Sequence, residues 1–357
     1  MTKSKKIGLV TWLGGPNFGT VLQSYALYKA ISSLGYDVTV LRHHSFIYGL
    51  KLQLGLREMF PGSETARKSA KMQAEELKVR TYITTHAYQR ALKRCEALVC
   101  GSDQMWNTRF NFNPDFFLAG TVPGRKIAYA PSVGASDFAS ETKPAVKEYL
   151  KDFDCLSVRE ETGRRAVETL TGRKDVRVVL DPVFLPEPAL WEDFAAKADE
   201  APLQPYLLCY LLRKRGDYGK IVREVAAHYG VSKVVVVPAY ENPDIHISGV
   251  TVLSGAGPRE FVNLIRHASA VLTDSFHGTA FSVIAGKDLV SLKRFDDGDE
   301  ASQNSRISDL LASLGLEDRS YDGNWRKPVD WKDVRARMAS IREESLAYLS
   351  ESLKNVR

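Results

Sequence analysis

Short apolar runs alternate with amphipathic stretches twice along this sequence, and a proline-rich segment separates the two series. That alternation is the pattern of parallel sheets covered by helices. A strand buried on both faces reads as a continuous apolar run, and each parallel crossover needs a helix. In the first series the strand-like runs are 5–13, Asp37–Leu41, Ala97–Cys100, Lys126–Ala130, Cys155–Val158 and Val176–Leu180. After the first run, Val21, Leu22, Tyr25, Tyr28, Ile31 and Leu34 recur at helical spacing and Gly35 closes the helix. Further helical stretches lie at 141–151 and 161–171. In the second series Tyr206–Leu212, Lys233–Val237, Ala270–Thr273 and Leu289–Leu292 read as strands. Gly219–Tyr229, Pro258–Ala268, His277–Ala285 and Ser305–Leu314 read as helices. Pro182–Pro205, with Pro186, Pro188 and Pro202 inside it, reads as a linker. Residues 45–93 are charged and helical in pattern, with Pro61–Gly62 as punctuation, and read as an insertion of helices.

The expected fold is therefore α/β, with two facing αβα (Rossmann-like) domains. The first spans 1–185 with the helical insertion, and the second spans 186–330. An amphipathic helix over 331–357 closes the chain, with Val334, Met338, Ile341, Leu346, Leu349 and Leu353 on one side. Such domains leave a cleft at the carboxyl ends of both sheets.

Composition narrows the function classes. The net charge of +6 is modest and fits anionic small substrates or an anionic membrane surface. No compact Lys/Arg run is interleaved with aromatics, which argues against nucleic acid. The four cysteines form no CxxC pair and no zinc spacing, so they are expected to be reduced and no metal is expected. The apolar run after Lys6 is too short for a signal-peptide core, and no segment approaches the roughly 18 apolar residues of a membrane span. The expected location is cytoplasmic, with peripheral membrane contact open.

Six stretches carry residues suited to chemistry. Gly14–Thr20 is a glycine-rich turn between strand and helix, where Asn17 and Gly19 can present N–H groups to an anion; a tight structural turn fits equally. Gly101–Asn107 follows a strand and holds Asp103, Gln104, Trp106 and Asn107. Polar groups around a flat ring suit a sugar, and a capping Asp beside a buried Trp fits as well. Ala130–Gly134 is a strand end with a turn. Arg159 ends a strand and can fork onto a carboxylate or phosphate, or pair with a neighbouring Glu. In Leu272–Phe281, Ser275 leaves a strand and His277 opens a helix, with Gly278 and Thr279 behind it. The imidazole has the right chemistry for proton transfer, although a lone histidine is often structural. Asn304-Ser305-Arg306 offers a cap and a cation.

Taken in order, NFGTVLQSYAL (17–27), GSDQMWN (101–107), YAPSVG (129–134), SVREETG (157–163), LDPVFL (180–185) and LTDSFHGTAFS (272–282) resemble the polysaccharide pyruvyl transferase family. The resemblance covers about residues 5–315. It implies a GT-B-like fold and transfer of pyruvate from phosphoenolpyruvate, as co-substrate without a cofactor, onto two hydroxyls of one sugar. The product is a cyclic ketal on a cell-surface polysaccharide or its lipid-linked precursor. It further implies His277 as the acid at C3 and Asp103 as a base. Arg159, Ser275, Gly278, Thr279, Arg306, Asn17 and Gly19 then serve the donor, and Gln104, Trp106 and Asn107 the acceptor. Some members carry an arginine where Ser275 stands, so Arg306 or Lys293 is expected to compensate. A glycosyltransferase using a nucleotide sugar and a non-catalytic glycan-assembly subunit are the rival readings.

Overall fold

A computed structural model of the chain describes residues 4–14, 17–44, 63–120, 122–198, 205–213, 218–238, 249–296 and 302–354. Its frame is a pair of five-stranded parallel sheets. The first holds β1 (Lys6–Val10), β2 (Asp37–His43), β3 (Val79–Tyr82), β4 (Ala97–Cys100) and β5 (Arg125–Ala128), in the order β3-β2-β1-β4-β5. β6 (Ser157–Val158) and β7 (Arg177–Val178) pair with each other and join this sheet through an Ile127–Cys155 bridge. The second sheet holds β8 (Tyr206–Tyr210), β9 (Lys233–Val236), β10 (Val250–Val252), β11 (Ala270–Thr273) and β12 (Leu289–Ser291), in the order β10-β9-β8-β11-β12. The two sheets share one winding. Strand order reverses between β1 and β4 in one and between β8 and β11 in the other, and crevices open at such reversals.

The strands alternate between two cores, as a sheet covered on both faces must. Ile7 and Leu9 of β1 pack with Val38, Val40, Ala97 and Val99 on one face. Val10, Leu98 and Cys100 join Trp106, Phe117 and Leu150 on the other. α1 (Phe18–Ser33) is buried on nearly every side from Phe18 to Leu27, because it lies between the halves. Its Leu27 and Ile31 belong to the first sheet's core. Its Phe18 stacks on Phe261 at 5.1 Å, in the second half.

The region 45–93 is not a purely helical insertion. Residues 45–62 lie outside the described residues. The rest forms α2 (Glu64–Glu76), the edge strand β3 and α3 (Thr85–Leu92). α2 straps the halves together: Glu76 meets Lys29 at 3.2 Å, Lys197 at 2.7 Å and Arg259 at 3.0 Å. The proline-rich stretch likewise holds a helix, α6 (Pro188–Ala195), after α4 (Lys143–Lys151) and α5 (Glu161–Thr171). Pro188 sits in the first turn of α6, where its missing N–H is no loss, and Trp191 and Phe194 are buried. Residues 199–204 of that stretch lie outside the described residues.

α7 (Tyr218–His228), α8 (Pro258–His267), α9 (Phe276–Ile284) and α10 (Ser305–Ser313) belong to the second half. The last helix, α11 (Trp331–Lys354), returns to the first. Its Leu349 and Leu353 enter the first sheet's core, and Tyr348 Oη donates to the Ala128 carbonyl at 2.9 Å. No helix among the described residues is long and apolar enough to cross a membrane.

Candidate active site

A cleft of about 270 Å³ opens where the two strand-order reversals face each other. Trp12 and Asn17 reach it from beyond β1, and Asp103 and Gln104 from beyond β4. Leu212 follows β8, Ser275 and His277 follow β11, and Arg294 follows β12. Gln303 and Arg306 complete the wall at the start of α10.

His277 stands in the first turn of α9 and is buried. Ser275 caps that helix, its Oγ accepting from Gly278 N at 3.3 Å. The ring's Nε2 has no hydrogen-bond partner and lies 3.6 Å from Asp181 Oδ2. The opposite nitrogen faces the start of α1. A Cβ on Gly19 would lie 2.0 Å from His277 Nδ1, so only glycine leaves the ring its place. Gly19→Ala is therefore expected to displace His277 and lower stability by about 1–3 kcal/mol, as overpacking does. Paired melting and turnover assays check this, and a variant with wild-type values for both would contradict the placement.

Asp181 is the hub of the site. Its Oδ2 also meets Arg159 Nη1 at 2.5 Å, while Oδ1 accepts from Val183 N at 3.1 Å. Burial alone would raise its pKa, but His277 and Arg159 hold the carboxyl well below the usual range. Arg159 lies 3.5 Å from Asp103 Oδ1 and 3.8 Å from Glu160 Oε2. Burial opposes the charge of Arg159, and the three carboxylates more than offset that. Glu160 in turn fixes the 130–134 turn, its Oε1 accepting from Ser132 Oγ and Val133 N, each at 2.9 Å. Burial pushes the Glu160 carboxyl up, against the pull of Arg159.

Asp103 is nearly buried and lines the cleft. Its Oδ2 accepts from Thr20 Oγ1 at 3.0 Å. Its φ of +64° is one that non-glycine residues rarely adopt, and such strain, about 1–3 kcal/mol, collects at functional positions.

Arg306 is the buried cation that lines the cleft. It has no carboxylate within ion-pair distance among the described residues. Its Nη2 donates to Gln303 Oε1 at 2.8 Å, and the Gln104 side-chain amide lies against its two Nη atoms, its oxygen accepting from them at 2.6 and 2.7 Å once the amide is turned over. Burial, then the like charge of Arg159, pushes its pKa down to about 9. A buried guanidinium held by neutral amides is short of an anion.

Several expected residues stand elsewhere. Arg159 is not on the cleft wall; its fork is committed to Asp181 and Asp103, and Phe276 covers it at 4.0 Å. Trp106 is fully buried, stacked on Phe117 at 5.5 Å, with Nε1 donating to the Phe116 carbonyl. It offers no face to a sugar. Asn107 is buried behind Gln104, their amides 3.1 Å apart. Gly278 spends its N–H on the cap and packs on Thr273, and Thr279 is buried with Oγ1 unpartnered. Lys293 faces Asp322 at 3.3 Å, away from this cleft. Asn17 does line the cleft, but its Oδ1 caps Gly19 N at 3.0 Å. Sequence reasoning gave no role to Asp181, Thr20, Trp12, Phe110, Arg294 or Gln303, and offered Glu160 only as a surface partner of Arg159. Asp181 lies within the LDPVFL stretch, which was a signal. Among the described residues no group of three His, Cys, Asp or Glu is placed to hold a metal.

A family model described as polysaccharide pyruvyl transferase matches residues 17–294. No curated protein matches the chain. Among solved structures, a putative UDP-N-acetylglucosamine 2-epimerase from Listeria monocytogenes superposes with a TM-score of 0.52 at 13% identity, covering 96% of this chain and 97% of that one. The UDP-GlcNAc 2-epimerase of Neisseria meningitidis, bound to UDP-GlcNAc, gives 0.51 at 11% identity, covering 96% and 99%. Likeness at such identity bears on fold alone, and the fold is that of two facing Rossmann-like domains in the GT-B manner.

Proposed function

The chain belongs to the polysaccharide pyruvyl transferase family, and on that premise we propose that its cleft moves the pyruvyl group of phosphoenolpyruvate onto two hydroxyls of one sugar. One observation carries the reading: a buried cation with no carboxylate partner, Arg306, shares a small cleft with a buried imidazole. The donor brings a phosphate and a carboxylate, and Arg306 is the seat for one of them, with Arg294 on the same wall. Arg306 thus takes over the fork that Ser275 cannot provide.

The residues of the cleft suit the following chemistry. Asp181 Oδ2 stands 3.6 Å behind Nε2, its charge facing the imidazolium that hands a proton on, and Nδ1, beside Gly19, is the nitrogen left to meet a substrate. His277 protonates C3 of the enol, and C2 becomes oxocarbenium-like. The first sugar hydroxyl adds at C2 and gives up its proton to Asp103. The second hydroxyl then displaces phosphate, which leaves with the remaining proton. The C2=C3 π bond, the C2–O bond to phosphate and two sugar O–H bonds are lost; one C–H bond at C3 and two C–O bonds to the sugar form, phosphate carries off one hydroxyl proton, and the other passes from Asp103 back to His277 to close the cycle. Arg159 works through others, holding Asp103 and Asp181 in place. A saccharide carried on a lipid, met at the membrane surface, fits the same scheme.

Arg306→Gln is expected to leave the unliganded protein at least as stable, since it relieves a buried charge. Phosphoenolpyruvate affinity is expected to fall about ten- to hundredfold, the worth of a charge-assisted hydrogen bond. Calorimetry with phosphoenolpyruvate and with a UDP-sugar tests both points. Binding of the UDP-sugar alone, or wild-type donor affinity in the variant, would favour the nucleotide-sugar reading or remove Arg306 from the donor.

A further inference from the structure

We propose that Trp12 and Phe110 form the platform on which a pyranose ring of the saccharide acceptor stacks. The proposal rests on the reading of the cleft as the transfer site. Phe110 is 67% exposed and is the one aromatic side chain among the large exposed hydrophobics of the described residues. It lines the cleft beside Trp12, ring centroids 6.0 Å apart at 33°. Trp12 is backed by Phe116 at 5.8 Å.

Both residues are tied down at the backbone beside the cleft. Phe110 N donates to the Asn107 carbonyl at 3.1 Å and to Asn107 Oδ1 at 3.3 Å. The Trp12 carbonyl accepts from Ser24 Oγ at 3.0 Å. An exposed phenyl ring costs solvation free energy that a covering apolar face recovers. A pyranose has such a face in its C–H groups, and a polar edge of hydroxyls. The cleft supplies that edge with Asp103, Gln104 and Gln303. Phosphoenolpyruvate has no comparable face. The proposal also gives Trp106 and Asn107 a purpose. The buried indole anchors the 104–106 turn, and Asn107 aims Phe110 at the cleft.

The test uses the full chain and methyl glycosides of glucose, galactose, mannose and N-acetylglucosamine, read by saturation-transfer NMR. Wild type is expected to saturate the ring C–H protons of at least one glycoside. Phe110→Ala and Trp12→Leu should each weaken that glycoside about tenfold, and Phe110→Tyr should restore it. Phe110 is exposed, so its variants are expected to melt like wild type. The proposal is overturned if no glycoside saturates on wild type, if Phe110→Ala leaves the signal intact, or if uridine gives the stronger Phe110-dependent signal. Phosphoenolpyruvate is titrated in the same samples to separate two failures. Glycoside binding through Phe110 without donor binding removes the donor reading and keeps the platform. Donor binding with Phe110-independent glycoside signals removes the platform alone.

Discussion

Replacing His277 with glutamine is expected to slow transfer by about 10²–10⁴-fold, the usual worth of a general acid, while phosphoenolpyruvate affinity changes little. Glutamine nearly conserves volume and can hydrogen-bond, but an amide delivers no proton at neutral pH. His277→Ala should match it in rate and melt lower, because the ring is 2% exposed and its removal leaves a cavity. A structural histidine gives the opposite pattern, in which glutamine restores folding and activity together. The geometry argues for the first outcome. The ring's Nε2 makes no hydrogen bond, and Asp181 Oδ2 stands 3.6 Å from it. A histidine kept for structure would bond its nitrogens. Single-turnover transfer with melting and donor affinity on both variants checks this.

Asp181→Asn is expected to be the most damaging change to stability. Asp181 is fully buried and meets Arg159 at 2.5 Å. Removing one partner of a buried pair leaves the other charge stranded, at a cost of about 3–5 kcal/mol. The sign of the pH dependence is fixed by the lowered carboxyl. A depressed carboxylate contributes stability that is fully present above its unfolded pKa near about 4 and is lost as pH falls through its lower folded value. The gap between wild type and Asp181→Asn should therefore be widest at neutral pH and shrink in acid. Urea melts across that range measure it, and a gap that widens on acidification would contradict the pairing. Turnover should fall too, since the carboxylate that stabilises the imidazolium is gone.

Much of the frame was legible because the central strands are buried on both faces. Ala97–Cys100 and Ala270–Thr273 are apolar throughout or nearly so, and they emerge where the runs place them. The edges were not legible. β3, with sequence VRTY, and β10, with sequence VTV, have mostly exposed or half-buried side chains, so neither leaves an apolar run. α6 was hidden by Pro186 just before it and by its own Pro188, which sits in the first turn, where a helix tolerates it. In the site, Asp103, His277 and Arg306 could be read as strand-end and helix-start residues. Asp181 also follows a strand run, but its partners could not be read, because they lie 22 residues away at Arg159 and farther still at His277. Composition placed an aromatic ring near the Asp103 turn but could not tell which ring was covered, so Trp106 was expected where Phe110 stands.

The central claim is a ketal made from phosphoenolpyruvate, and phosphoenolpyruvate labelled with carbon-13 at C2 tests it most directly. The purified chain is incubated with the labelled donor and a lipid-linked or free saccharide acceptor, and the reaction is followed by carbon and phosphorus NMR. The account expects the label to appear on a carbon bonded to two oxygens of one sugar, with one phosphate released per ketal, and His277→Gln to slow both signals by about 10²–10⁴-fold. Label remaining in phosphoenolpyruvate while a UDP-sugar is consumed in its place, or equal transfer by His277→Gln, would contradict it.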